Sequence, residues 1–306
     1  MDLQEAQNAF VKMLADINKE DVANFFCWIQ SCWLTSECLG EAPAVAFTKL
    51  KRIADDIRGM VPQCGILPSE QIQTPATGEN ADCDPHHTVH VDAFLYEEEH
   101  IDDLVAEGKM SRNYCKKCGS HEVAPLTFIS HSMSIQRVGF IFQSLLPDLE
   151  GKVVFDVGSR LGPVLWGAYV YTRARKIIGV EMNEELCKIQ KFIIEKYKMG
   201  DRIEVICRNI CSVPQITEAD VVVLNNVFEF FLPQDIQVKT WQFLRSSIKQ
   251  GTILVTIPSL EDIFKQVKSE VDVKSWVKKR PITDPLVAMT AQDQEELSEV
   301  VTYDVL

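Results

Sequence analysis

The stretch Val153-Val154-Phe155-Asp156-Val157-Gly158-Ser159-Arg160-Leu161-Gly162-Pro163 decides the fold. A short apolar strand, interrupted by one acid, runs into a turn whose glycines stand four residues apart. Pro163 suits the first position of a following helix, where a missing N–H costs nothing. Gly158 and Gly162 lack a Cβ, so the chain can turn sharply and a ligand can lie on the backbone. The unpaired N–H groups of the helix start favour a carboxylate or phosphate. This is a nucleotide-binding corner. The dinucleotide fingerprint needs glycine at its first, third and sixth positions, which here hold Gly158, Arg160 and Pro163, so nicotinamide and flavin dinucleotides fit poorly.

Working outward, Lys176-Ile177-Ile178-Gly179-Val180-Glu181 reads as a second strand ending in an acid 25 residues after Asp156. A carboxylate at a strand end can accept both hydrogen bonds of a cis-diol. Asn183 can cap a helix from Glu184 to about Met199, with Gly200 as its stop. A third strand, Arg202 to Cys207, leads to Arg208-Asn209-Ile210. The β-branched run from Ala219 to Leu224 reads as a central parallel strand, ending in Asn225-Asn226 and followed by Phe228. In open α/β sheets ligands sit beyond the carboxyl ends of the strands, so both amides are aimed at the site. A helix from Pro233 to Lys249, a strand from Thr252 to Ile257, a helix from Ser259 through about Trp276 and a closing strand from Ser298 to Leu306 complete the pattern.

These residues resemble the class I, seven-strand S-adenosylmethionine-dependent methyltransferases. The family's first motif is commonly Asp/Glu-x-Gly-x-Gly-x-Gly, and this chain reads Asp156-x-Gly158-x-Arg160-x-Gly162, with arginine in the middle place. The resemblance covers roughly Phe128 to Leu306 and implies a Rossmann-like, doubly wound α/β fold with a seven-stranded sheet. It implies S-adenosyl-L-methionine as cofactor, with Asp156, Gly158 and Gly162 at its methionine part and Ser159 and Arg160 also among the cofactor-binding residues. Glu181 would lie at the ribose and Asn209 at the adenine, with Met182, Ile210 and Asn225 also cofactor-binding, and Asn225, Asn226 and Phe228 would lie at the methyl acceptor. The Asn-x-x-Phe spacing resembles the Asn-Pro-Pro-Tyr/Phe motif of amino-group methyltransferases, without the prolines. The Asn-Asn pair followed by an aromatic resembles the seven-strand histone-lysine methyltransferases, whose first motif also reads Asp-x-Gly-Ser. An amide oxygen there can orient an amine lone pair toward a methyl donor.

The rest of the chain bounds these expectations. Its 306 residues are 46% apolar, enough for one large or two modest domains. No run of eighteen apolar residues and no basic-then-apolar leader occurs, so the expectation is a soluble protein of cytoplasm or nucleus with no membrane role. Ten cysteines without an export signal read as reduced thiols. A net charge of −13 opposes broad capture of nucleic acid, which leaves the short basic runs Arg173 to Lys176 and Lys278 to Arg280 as local exceptions. A protein substrate is favoured over RNA on this ground. A catalytically inactive scaffold is the reading from another class, motivated by Arg160, whose side chain either fills cofactor space or turns away to pair with an acid.

Four segments are expected: a helical subdomain over 1–60, a linker or long loop over 61–85, a Cys/His-containing insert over 86–127 and the methyltransferase domain over 128–306. In the first, Phe25, Phe26, Trp28, Ile29 and Trp33 give one helix an apolar face for packing, for a partner or for a dimer. All six histidines lie between His86 and His131. Cys115-Lys116-Lys117-Cys118-Gly119 has zinc-knuckle shape, and Cys83-x-x-His86 offers a second pair. A structural zinc on Cys83, His86, Cys115 and Cys118, with His87, His90, His100 and His121 as substitutes, stands beside a metal-free loop. Ser130-His131-Ser132 precedes an amphipathic helix; these residues either line the cofactor pocket, with His131 as a catalytic candidate, or cap that helix.

Overall fold

The computed structural model describes residues 10–14, 17–18, 21, 43–70, 72–73, 86–116, 123–226, 228–267, 271–281 and 297–306. The apolar helix expected around Trp28, and Cys83 and Cys118 of the expected zinc set, lie outside the described residues.

The apolar strands assemble into one seven-stranded sheet: β5 (Val153–Val157), β6 (Lys176–Glu181), β7 (Ile203–Cys207), β8 (Val221–Asn225), β9 (Ile253–Ile257), β10 (Val277–Lys279) and β11 (Val301–Val305). Their order across the sheet is β10-β11-β9-β8-β5-β6-β7. The strands from β7 to β9 are parallel; β11 enters antiparallel between β9 and β10. Alternate residues feed opposite faces. Val154 packs in a cluster with α1 (Pro43–Arg58), α3 (Ile135–Phe140), α4 (Pro163–Tyr171) and α5 (Glu184–Lys196), whereas Val153, Phe155 and Val157 meet α6 (Gln234–Ser247), α7 (Leu260–Gln266) and α8 (Val273–Trp276). This is the expected Rossmann-like α/β architecture.

Helix α1 begins at Pro43 and buries Ala46, Leu50, Ile53, Ala54 and Ile57, a helical repeat that joins the core cluster of the sheet. The insert holds β1 (Thr88–His90), α2 (Glu98–Ala106), β2 (Asn113–Cys115), β3 (Val123–Pro125) and β4 (Thr127–Ile129). β1 pairs in parallel with β4, so the boundary expected at 127/128 falls inside a strand whose partner belongs to the insert.

Two local readings need correction. The helix expected from Ser259 through Trp276 is two helices, α7 and α8, and Trp276 leads directly into edge strand β10. Lys278 and Lys279 therefore lie on a sheet edge, and Arg280 sits 3.5 Å from Asp304. Helix α5 does not need Gly200 to end it: the left-handed turn falls at Lys198, with φ 54°, and the Met199 N–H closes onto the Ile194 carbonyl.

Candidate functional site

The corner after β5 turns back onto β6, with the N–H groups of Gly158 and Ser159 donating to the Val180 carbonyl at 2.8 and 3.1 Å. Gly158, Arg160 and Gly162 all have positive φ, 72°, 47° and 80°. The alternation of the glycine motif survives as backbone conformation, with arginine accepting a left-handed geometry that costs an L-residue about 1 kcal/mol. Gly162 has a packing reason as well, since a Cβ would come within 2.6 Å of the Trp166 ring.

The Arg160 side chain explains its own presence. It turns to the segment before the insert and to the insert itself: Nε lies 2.9 Å from Glu70, Nη1 2.8 Å from Asp92, and Nη2 donates to the Gly65 carbonyl at 2.6 Å. Ser132 Oγ donates to the same Asp92 carboxylate. Nothing in the local sequence announces Glu70 or Asp92, because the stretch around the first reads as a linker.

Glu181, at the end of β6, is buried and takes the N–H of Arg160 on Oε2 at 3.0 Å and that of Asn183 on Oε1 at 2.8 Å. Burial pushes its carboxyl up, opposed by these amides and by Arg160. Asp156 is raised well above the usual carboxylate range by burial and by the charge of Glu181. Asn183 caps α5 as expected, accepting from Glu185 and Leu186. Gln190, wholly buried on α5, fixes the turn by donating to the Arg160 carbonyl and meeting Ser159 Oγ at 3.1 Å. A glutamine on the apolar face of that helix was the one sequence signal for it.

Beyond the carboxyl ends of β5 to β8 lies a cavity of about 600 Å³. Its walls bring together the expected Gly158, Arg160, Glu181, Met182, Asn209, Ile210, Asn225, Asn226, Phe228 and His131, residues separated by up to 97 positions. Asp156, Ser159 and Gly162 are not among its lining residues; they shape the turn from behind. Ser69 and Glu70 are added to the wall. Asn209 lines the cavity and also caps the short turn Ile210–Ser212, its oxygen accepting from the Cys211 N–H at 2.9 Å. Asn226 adopts φ 45° and donates its N–H to the Ile257 carbonyl.

His131 is buried against Phe230 and Phe231, with Nε2 3.1 Å from Nδ1 of His90. Among the described residues its Nδ1 has no hydrogen-bond partner. Burial first, then the Arg160 charge, push its pKa down to about 3, so the ring is neutral. The helix α3 is capped by Ser134, while Ser130 accepts the Ala93 N–H.

A second, larger cavity of about 1590 Å³ lies between the insert and the α7 side of the sheet, and Asn225 and Asn226 belong to the walls of both. Among the described residues, six carboxylates line it against four cationic side chains. Three of those cations are matched internally: Arg112 with Glu98, Arg137 with Glu299 and Lys265 with Asp262.

Among the described residues no group of three or more His, Cys, Asp or Glu is gathered to hold a metal. His100 uses Nδ1 to accept the Glu97 N–H at the start of α2, and His87 stacks on Tyr114. No helix among the described residues is long and apolar enough to cross a membrane.

Fold and cavity together define a Rossmann-like α/β protein with a ligand cavity at the carboxyl ends of its parallel strands. No protein-family model matches the chain, and no curated protein matches it. Among solved structures it is similar to an RNA methyltransferase from Salinibacter ruber in complex with S-adenosyl-L-homocysteine, at 16% identity over 55% of this chain and 86% of that one, with a TM-score of 0.35. It is similar to a SAM-dependent O-methyltransferase from Thermotoga maritima, at 17% identity over 56% and 65%, with a TM-score of 0.38. PKMT2 from Rickettsia typhi in complex with AdoHcy aligns at 22% identity over 41% of this chain and 24% of that one, with a TM-score of 0.33.

Proposed function

We propose that the chain is an S-adenosylmethionine-dependent methyltransferase acting on a nitrogen of a protein. The observation that carries this reading is the pair Asn225 and Asn226, which lines both the nucleoside-sized cavity and the second, larger groove. One compartment suits the methyl donor and the other the acceptor, with two amides at the junction.

The residues present fit the donor. The cavity is within the range of small-ligand sites. Glu181 keeps unspent lone pairs on oxygens that each accept one amide N–H, as a ribose clamp requires. Gly158 presents bare backbone, and the unpartnered Nδ1 of buried His131 awaits a polar group. S-adenosylmethionine, when bound, supplies an electrophilic methyl group. The amide oxygens of Asn225 and Asn226 hold the acceptor amine so that its lone pair faces that methyl, a contribution of positioning in a confined site. His131, with its pKa near 3, is too weak a base to keep a proton from an ammonium; it orients by hydrogen bonding, and the proton leaves through the groove to water. The groove favours a protein over RNA because its carboxylates outnumber its cations, and those cations are mostly paired.

Calorimetric titration with S-adenosylmethionine tests the first half of this reading. Saturable binding by the wild-type chain, weakened about tenfold or more in Glu181→Ala, supports it; a folded chain that does not bind refutes it. Transfer of labelled methyl from donor to a mixed protein fraction, and none to RNA, supports the second half.

A further inference from the structure

The outer part of the insert has little apolar surface to hold it. β2 and β3 pair over three residues each, Asn113 with Pro125, Tyr114 with Ala124 and Cys115 with Val123. Asn113, Cys115 and Pro125 are exposed, and Tyr114 and Ala124 are half-buried. A two-stranded ribbon of this length is marginal in water without a packed face. Arg112 reaches Glu98 and Asp102 at 2.5 and 2.8 Å, but exposed ion pairs contribute little. Small units of this kind are commonly stapled by a disulfide or a structural metal.

Cys115 ends β2, so Cys115-Lys116-Lys117-Cys118-Gly119 runs from that strand into the connection to β3. This is the spacing of paired thiolate ligands in structural zinc sites. The chain carrying the other expected pair comes to the same place. His86 and His87 lead into β1, and the His87 ring stacks on the Tyr114 ring with centroids 3.8 Å apart, although 27 positions separate them in sequence. The His87 carbonyl accepts the Thr127 N–H at 3.0 Å, and the Arg112 carbonyl accepts the Leu126 N–H at 2.7 Å. The approach to β1 and strand β2 thus flank one run of chain, β3 to β4. His86 and Cys115 are each the chain neighbour of a ring in this stack.

We propose that the insert holds a zinc ion through Cys83, His86, Cys115 and Cys118, tying the approach to β1 onto the β2–β3 hairpin. Cys83 and Cys118 lie outside the described residues and enter by spacing, each three positions from its described partner. With two of the four ligands described, the lack of a gathered group of three among the described residues is compatible with the site. Four protein ligands close the tetrahedron and leave no open position, so the ion is structural. Zn²⁺ displaces three thiol protons and takes the lone pair of the neutral imidazole, and acid reverses this by restoring the protons. Neither His86 nor Cys115 lines the donor cavity, so zinc binding and donor binding succeed or fail separately.

The test is the metal content of the full chain, purified under reducing conditions and measured by elemental mass spectrometry. About one zinc per chain is expected. Cys83→Ser, His86→Ala, Cys115→Ser and Cys118→Ser should each lose it, with circular dichroism confirming that the α/β sheet is folded. Cys64→Ser, at an exposed thiol outside the set, should keep it. Cobalt(II) exchanged into the wild-type chain should give the intense visible bands of a tetrahedral site with thiolate charge transfer, a readout that depends on no variant folding. A folded wild-type chain that takes up neither zinc nor cobalt overturns the site. Zinc retained at the full level in any of the four ligand variants overturns this ligand set.

Discussion

Nη1 of Arg160 lies 2.8 Å from Oδ2 of Asp92, joining the nucleotide turn to the insert across 68 positions of sequence. The arginine stands where the resembling family places glycine, so the departure from the motif and the attachment of the insert are one feature. Its side chain turns toward two acids, which is the second of the two fates the sequence left open.

Replacing Arg160 by glycine should therefore destabilise the protein despite relaxing a left-handed residue. The backbone gain is about 1 kcal/mol, while removing one partner of a buried ion pair costs roughly 3–5 kcal/mol because the carboxylates are left uncompensated. Urea unfolding of Arg160→Gly should show a net loss of a few kcal/mol. A more stable variant would mean that Glu70 and Asp92 are satisfied without the guanidinium.

His131 should give the fold a pH dependence. Its folded pKa of about 3 lies below the ordinary histidine value, so the unfolded chain binds the proton more readily. The sign follows: stability is full above about pH 6.5 and is lost as pH falls from there toward 3. The Arg160 guanidinium and His90 both face the ring, and His90 is itself shifted down by burial and then by Arg160, adding in the same direction. Between pH 7.5 and pH 5 the His131 contribution is about 2 kcal/mol. Unfolding curves for wild type and His131→Gln at the two pH values should differ by about that amount; equal slopes would show that the buried ring does not resist protonation.

The carboxyl-terminal strand should be indispensable. β11 lies between β9 and β10, and Tyr303 is fully buried, with its hydroxyl donating to Glu261 and accepting the Leu260 N–H at 3.0 Å. A 1–297 chain loses that strand and strips β10 of its partner, so it should not fold cooperatively. Tyr303→Phe is the finer probe: leaving the Leu260 N–H buried without its acceptor should cost roughly 1–3 kcal/mol in denaturant unfolding. A stable 1–297 chain would contradict the sheet order.

Asn226 should matter to transfer and little to cofactor affinity. It holds φ 45°, a conformation asparagine tolerates better than most residues, at the junction of the two cavities. Asn226→Ala should lower the single-turnover methyl-transfer rate roughly a hundredfold, the scale expected for lost positioning, with the donor Kd nearly unchanged. Parallel losses in rate and donor affinity would place Asn226 with the cofactor instead.

Much of this protein was legible in its sequence because the relevant signals are local. The β-branched runs ending at Val157, Glu181 and Asn225 declare buried parallel strands, Pro163 and Asn183 open their helices, and the corner glycines fix the turn between them; each depends on backbone preferences and periods spanning a few residues. Their strand ends then had to converge, and Glu181, Asn209 and Asn225, the last two placed at the site by the family resemblance, line one cavity. What only the tertiary structure decided are relations between distant charged and polar groups. Sequence left open whether Arg160 would fill the cavity or reach an acid. It hid Glu70 in a stretch that reads as a linker, and it gave Lys198 no mark as the left-handed residue ahead of Gly200. A long polar side chain chooses its partner by which buried carboxylate lies within reach after packing, and that choice has no period in the chain.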